Sequence, residues 1–119
     1  MVFEPRGEFP YLEDDLESID FTAHNIRLKD GEFTKPEMAI NMAQYPWFVS
    51  ARRVLSLAFP GDKSRYSVID LGYLEGGYAV EFARMGFRSL GVEVRKSNFA
   101  ACRYVKDRVA LPNLSFGDL

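Results

Sequence analysis

The stretch VIDLGYLEGGYAVEFARMGF, residues 68–87, decides how the chain folds. Val68, Ile69 and Leu71 form a short β-branched and apolar run, the pattern of a buried parallel strand. Gly76-Gly77 interrupts that pattern. An amphipathic helix is predicted from about Tyr78 to Met85, and Gly86 stands where a left-handed C-cap belongs. The unit is strand, glycine turn, helix.

The same order repeats downstream. FRSLGVEV, residues 87–94, reads as a second strand. SNFAACRYVKDRVA, residues 97–110, reads as a helix with Ser97 as a possible N-cap and an apolar stripe of Phe99, Cys102, Val105 and Val109. LSF, residues 114–116, begins a third strand. Crossovers of this length exclude hairpins, so the strands are expected to be parallel. The fold class is α/β, a partial Rossmann-like doubly wound parallel sheet of about three strands, with helices on its N-terminal side.

Upstream, PWFVSARRVLSLAF, residues 46–59, has Phe48, Ala51, Leu55 and Ala58 at helical spacing, with Trp47 and Val54 beside them and Arg52 and Arg53 on the polar side. Thr34-Lys35-Pro36-Glu37 has the form of a capping box, which predicts a further short helix to about Ala43. Residues 1–33 read as an acidic irregular arm, and residues 34–119 as the domain, with a helical lead-in over 34–60 and the strand-helix units over 66–119.

The chain has 119 residues, 47% of them hydrophobic and 14% aromatic, enough for one small core. A formal net charge of −2 supplies no global field for nucleic acid. The charge is uneven, however. Residues 1–20 carry seven acids against Arg6, and residues 84–108 carry seven bases against Glu93 and Asp107. Both segments read as solvated faces, or as an arm that docks on a basic surface. Cys102 is the single cysteine, which excludes an internal disulfide and suits a core position. The acidic N-terminus does not read as a secretory signal, and no apolar run has the length of a membrane span. A cytoplasmic protein is expected. His24 is the single histidine, so neither a histidine-based metal cluster nor a histidine-rich triad is available; it reads as a locally bonded loop residue or as a base.

Ligands of open α/β sheets bind at the carboxyl ends of the strands. Three features fall there. The first is the turn Asp70-Leu71-Gly72-Tyr73-Leu74-Glu75-Gly76-Gly77, whose glycines let backbone approach a ligand. The second is Glu93, at the end of the second strand and 23 residues past Asp70, where a carboxylate can accept from both hydroxyls of a ribose. The third is Asp118, at the end of the third strand, within reach of an adenine amino group. A pyrophosphate calls for G-x-G-x-x-G and helix amides aimed at negative charge. This turn instead contains Glu75, which would repel a pyrophosphate and tolerate a sulfonium or an amino group. Tyr45, Trp47 and Phe48 read either as core or as an aromatic lid.

With those residues in place, the chain from about residue 66 resembles the N-terminal, cofactor-binding half of the class I S-adenosylmethionine-dependent methyltransferases. Within them it is similar to a bacterial small-domain group with first motifs of the form DLGCLEGGY. Residues 68–87 match the first motif, SLGVEV the second, and LPNLSFGDL resembles the third. The lead-in HNIRLKDG and the Trp47-Phe48 helix also fit, so the resemblance covers most of residues 24–119. It implies that Asp70 and the backbone at Gly72 face the methionine amino group, that Glu75, Gly76 and Gly77 shape the turn, that Glu93 holds the ribose, that Val94 packs on adenine, and that Asp118 meets the adenine amino group. Three departures stand out. Tyr73 replaces a small residue or cysteine, with Leu74 following it; the third motif is about two residues shorter; and about three strands are present where the family has seven.

The implied activity is methyl transfer from S-adenosylmethionine to a small-molecule acceptor, with no metal. Two other readings stay open. One is a non-catalytic half-domain that binds adenosyl ligands or pairs with another chain through an exposed sheet edge near Phe116. The other is a dinucleotide-dependent oxidoreductase.

Overall fold

The structure is a computed structural model, and it describes residues 21–72, 74–95 and 98–118. Residues 1–20, Tyr73, Lys96, Ser97 and Leu119, and the side chain of Asp118, lie outside that description. The expected contact between the acidic arm and the basic face therefore falls outside it too, as do the expected roles of Tyr73 and Ser97.

A 3-10 turn, Met42–Gln44, leads into helix α1, Pro46–Ala58. Then come β1 (Ser67–Leu71), α2 (Gly77–Arg84), β2 (Arg88–Glu93), α3 (Phe99–Val109) and β3 (Leu114–Asp118). The strands form one parallel sheet in the order β1-β2-β3. This is a partial Rossmann-like α/β fold, as the alternation of patterns predicts.

The strand register decides which side chains share a face. Val68, Ser89 and Leu114 lie in one row, and Asp70, Gly91 and Phe116 in the next. Both crossovers step the same way across the sheet, so right-handed connections bring both helices to one side. Leu114 and Phe116 accordingly join a single core with Ala79, Val80 and Ala83 of α2 and Cys102, Val105 and Val109 of α3. The α3 stripe is thus the expected one. Polar ties reinforce the layer: Ser89 Oγ donates to the Ala79 carbonyl at 2.7 Å, and Asn113 Nδ2 donates to the carbonyls of Ala83 and Phe87 at 2.8 and 2.7 Å.

The opposite face differs from expectation at β1. Ile69 is 46% exposed and Leu71 75% exposed, although their run reads as a strand buried on both sides. The described residues build one helical layer of a doubly wound sheet. The β-branched pattern reports strand propensity and cannot report whether a second layer is present.

Two upstream expectations are corrected. No helix follows Thr34. Its hydroxyl accepts from the Ile26 amide at 2.9 Å and donates to the His24 carbonyl at 2.7 Å, so it staples the irregular 24–34 segment instead of starting a helix. The capping box occurs seven residues later, where Asn41 Oδ1 accepts from the Ala43 amide and Gln44 Oε1 from the Asn41 amide, both at 3.0 Å. In α1, Phe48 alone is fully buried, and Trp47, Val54 and Ala58 face outward. Residues 21–33 are irregular in backbone but well packed: Ile26 and Leu28 belong to the core, and Arg27 bridges Phe33. Among the described residues, no helix is long and apolar enough to cross a membrane.

Candidate ligand site at the carboxyl ends of the strands

The turn after β1 is shaped by the chain's own packing. Gly72, at φ +72°, donates its amide to the Val92 carbonyl at 2.7 Å and has open space where a side chain would stand. Leu74 is left-handed as well, at φ 52°. Such a backbone costs a residue with a Cβ about 1–2 kcal/mol. Two contacts hold it: its amide donates to Glu93 Oε2 at 3.3 Å, and its carbonyl accepts from the Cys102 thiol at 3.1 Å. Gly76 caps α2 at φ +89°, and a Cβ there would lie 2.5 Å from the Phe116 ring. At Gly77 a Cβ would lie 2.7 Å from Met42 and 2.9 Å from His24 Nδ1. The glycine pair admits Phe116, Met42 and His24 before it admits any ligand.

Glu75 turns toward the N-terminal segment. Its side chain is almost wholly enclosed, at 3% exposure. Oε1 accepts from the amides of Ala23 and His24 at 3.0 and 2.7 Å, and Oε2 from the amide and hydroxyl of Thr22 at 2.7 and 3.2 Å. These charge-assisted bonds use every acceptor direction of the carboxylate. The residue shapes the turn by strapping residues 22–24 across it.

His24 is not a locally bonded loop histidine. It is buried, and its Nδ1 accepts the amide hydrogen of Gly77, 53 residues away, at 3.0 Å. The imidazole supplies the N-terminal acceptor that Gly76, lacking a side chain, cannot. Burial lowers its proton affinity, against the opposing pull of Glu75. It is therefore neutral, with the proton on Nε2. No local spacing announces this pairing. The available signal is a helix that opens on Gly-Gly and needs a cap from elsewhere.

Two carboxylates stand at the ends of β1 and β2, and their environments are opposite. Glu93 is 4% exposed. Oε1 accepts from the amides of Val94 and Arg95 at 2.8 and 3.1 Å, and Oε2 from the Leu74 amide and Asn98 Nδ2 at 3.3 and 3.2 Å. Burial pushes its proton affinity up, and those four donors outweigh it, holding the group ionised below the usual glutamate range. Asp70 has no such support. Its Oδ2 is buried without a partner among the described residues. Burial, and then the nearby Glu93 charge, raise its pKa to about 6.

The remaining candidates fall around this pair. Val94 lies exposed at the rim, just past β2. Asp118 ends β3 in register with Glu93. Phe48 is core, while Trp47 is exposed and meets Tyr78 of α2 edge-on. Tyr78 is a site neighbour that the motif reading passed over, because it looks like an ordinary first-turn residue. No group of three His, Cys, Asp or Glu among the described residues could hold a metal ion. In comparison with known proteins, the sequence matches no family model and no curated protein.

Proposed function

We propose that this chain is the cofactor-binding half of an S-adenosylmethionine-dependent methyltransferase that acts on a small-molecule acceptor in the cytoplasm. The observation that carries this reading is the unpartnered Oδ2 of Asp70 beside an α2 N-terminus already capped by His24. A buried acceptor left unpaired costs about 1–3 kcal/mol. An ammonium group would remove that cost, which suits the amino-acid end of the cofactor. A pyrophosphate would bring negative charge to Asp70 and Glu93 and would find the Gly77 amide engaged.

The residues present fit such a group. Glu93 is ionised and rich in hydrogen bonds, so ribose hydroxyls can take the positions now held by Asn98 Nδ2 and the Leu74 amide. Open space at Gly72 admits close approach, and exposed Val94 offers an apolar surface to a base. Asp118 ends the neighbouring strand. The cofactor supplies an activated methyl group, so what remains for the protein is orientation. Asp70 and Glu93 would fix the two ends of the ligand, and the strap held by Glu75 would keep the turn in shape. The buried Cys102 thiol, which donates to the Leu74 carbonyl and belongs to the core, accords with a reducing compartment.

Calorimetric titration of the full chain with S-adenosylmethionine, adenosine and NAD tests the reading. Saturable binding of S-adenosylmethionine with none of NAD is expected. No heat with S-adenosylmethionine, or tighter binding of NAD, overturns it and in the second case favours a dinucleotide enzyme.

A second reading rests on Ile69 and Leu71, which leave one sheet face uncovered at the outer strand β1. In it the half-domain pairs with another copy, either through this face at β1 or through the edge of β3 near Phe116, which is also an outer strand. Light scattering of wild type and Leu71→Lys decides: a wild-type dimer that the substitution splits supports pairing, and a wild-type monomer removes it.

A further inference from the structure

Asn25 organises a different part of the molecule. Between the bridge at Phe33 and the 3-10 turn at Met42 the chain has no regular structure, yet its backbone is held in place. Asn25 is 3% exposed. Its Oδ1 accepts from the Lys35 amide and its Nδ2 donates to the Ile40 carbonyl, both at 3.1 Å, while its own carbonyl accepts from the Met42 amide at 2.8 Å. Three bonds from one residue thus fix the loop from Lys35 to Met42. The loop surrounds a cleft of about 220 Å³, open to solvent and walled by Phe33, Pro36 and Met38, with Asn25, Asn41 and Gln44 as its polar side chains. Ordered loops without regular structure are where binding sites concentrate. None of these residues comes from the strand ends, so the cleft is separate from the site at Asp70 and Glu93.

The carboxamides decide what the cleft can hold. A backbone N–H must face an oxygen, so Asn41 Oδ1 is the atom that meets the Ala43 amide and Gln44 Oε1 the one that meets the Asn41 amide, both at 3.0 Å. Asn41 Nδ2 and Gln44 Nε2 are the halves left over, and neither makes a hydrogen bond among the described residues. The cleft therefore offers donors beside apolar walls. Among the described residues no charged side chain lines it, and neighbouring Lys35 and Glu37 pair with each other at 3.2 Å. A cation would meet donor hydrogens, and an anion would lose water without gaining a counter-charge. We infer that the cleft binds an uncharged aryl carbonyl compound, its oxygen accepting from the carboxamide nitrogens of Asn41 and Gln44 and its ring lying against Phe33, Pro36 and Met38. Aromatic rings pack favourably on another ring and on a thioether. At about 220 Å³ the cleft is smaller than the roughly 300–1,000 Å³ of drug-sized pockets, so it takes a single ring with a short substituent. This site and the methyltransferase reading stand independently of each other.

Acetophenone is the probe, and α-methylstyrene, with a methylene in place of the carbonyl oxygen, is its control. Each is titrated into the full chain while NMR follows the side-chain NH2 signals of Asn41 and Gln44 and the methyl of Met38. Acetophenone is expected to shift all three saturably, and α-methylstyrene to bind about fivefold more weakly, the difference one hydrogen bond makes. Benzoate and benzylammonium are expected to bind more weakly than acetophenone. Gln44→Glu and Asn41→Asp keep the oxygens that cap the 3-10 turn and replace only the nitrogens. Each variant is expected to melt near the wild-type temperature and to lose about fivefold in acetophenone affinity with that for α-methylstyrene unchanged. Should a variant melt early, the comparison of acetophenone with α-methylstyrene on the wild type still decides. No saturable shift at the three groups, equal affinity for acetophenone and α-methylstyrene, tighter binding of either ion, or full acetophenone affinity in both folded variants overturns the inference.

Discussion

His24 Nδ1 receives the Gly77 amide hydrogen at 3.0 Å, tying a segment that precedes the domain's first strand to the N-terminus of the helix that follows it. His24→Ala removes an N-cap and opens a small void among Met42, Gly77 and Tyr78. A loss of about 2 kcal/mol in urea unfolding is expected. Asparagine, a strong capping residue, should restore part of it.

Two opposed pH dependences follow from His24 and Asp70. His24 holds its proton less tightly folded than unfolded. Its contribution is complete above about 6.5, the unperturbed value, and declines as the pH falls below that. Asp70 behaves inversely. Its folded pKa of about 6 exceeds the unfolded one, so its ionisation opposes folding, and stability is lost as the pH rises from about 4 to about 6. For a fully enclosed group this rise would be worth about 3 kcal/mol. Asp70 is only partly enclosed, and screening reduces the figure to about 1 kcal/mol. Asp70→Asn should therefore unfold about 1 kcal/mol later than wild type at pH 7 and lose the advantage at pH 4. Thermal melts across that range check it. Cationic ligands should bind wild type more tightly as the pH passes upward through 6.

Glu75 carries a different expectation, although it lies five residues from Asp70. Glutamine in its place puts amide hydrogens against the Thr22 donors that Oε2 now accepts. A destabilisation of about 2–3 kcal/mol is expected. Hydrogen exchange should show where it falls, with the amides of Thr22, Ala23 and His24 losing protection before those of β2. Uniform loss across the chain would show that the strap is not a separable element.

Gly76 and Phe116 form a pair suited to a double-mutant cycle. Gly76→Ala combines a left-handed backbone with a Cβ 2.5 Å from the ring, and a loss of about 3 kcal/mol is expected. Phe116→Leu alone should cost about 1 kcal/mol. Together they should cost about 1 kcal/mol less than the sum, because the shorter side chain removes the clash while the backbone term remains. Strict additivity would show that the clash is relieved elsewhere.

Much of the fold was legible in local pattern. Val68 to Leu71, the Gly-Gly break, and the stripe of Cys102, Val105 and Val109 each specify an element within a dozen residues, and the alternation of elements dictates a parallel sheet. Local hydrogen bonding and side-chain periodicity act over that range, so the sequence by itself determined the β-α-β-α-β order and brought Asp70, Gly72, Glu93 and Asp118 to one end of the sheet. The Thr34 box misled because a hydroxyl serves whichever partner the tertiary fold brings, and here that is the 24–26 backbone.

What Glu75, Glu93 and His24 do was decided only by the tertiary structure. A carboxylate in a glycine turn has the same letters whether it meets a ligand, four donors of its own chain, or nothing. Glu75 and Glu93 are saturated by contacts that span 53 to 1 residues of sequence, and Asp70 is left unsatisfied between them. The physical reason is desolvation: once the turn is buried, each polar group must find whatever donors the fold has brought near, and only the three-dimensional arrangement determines which carboxylate goes without.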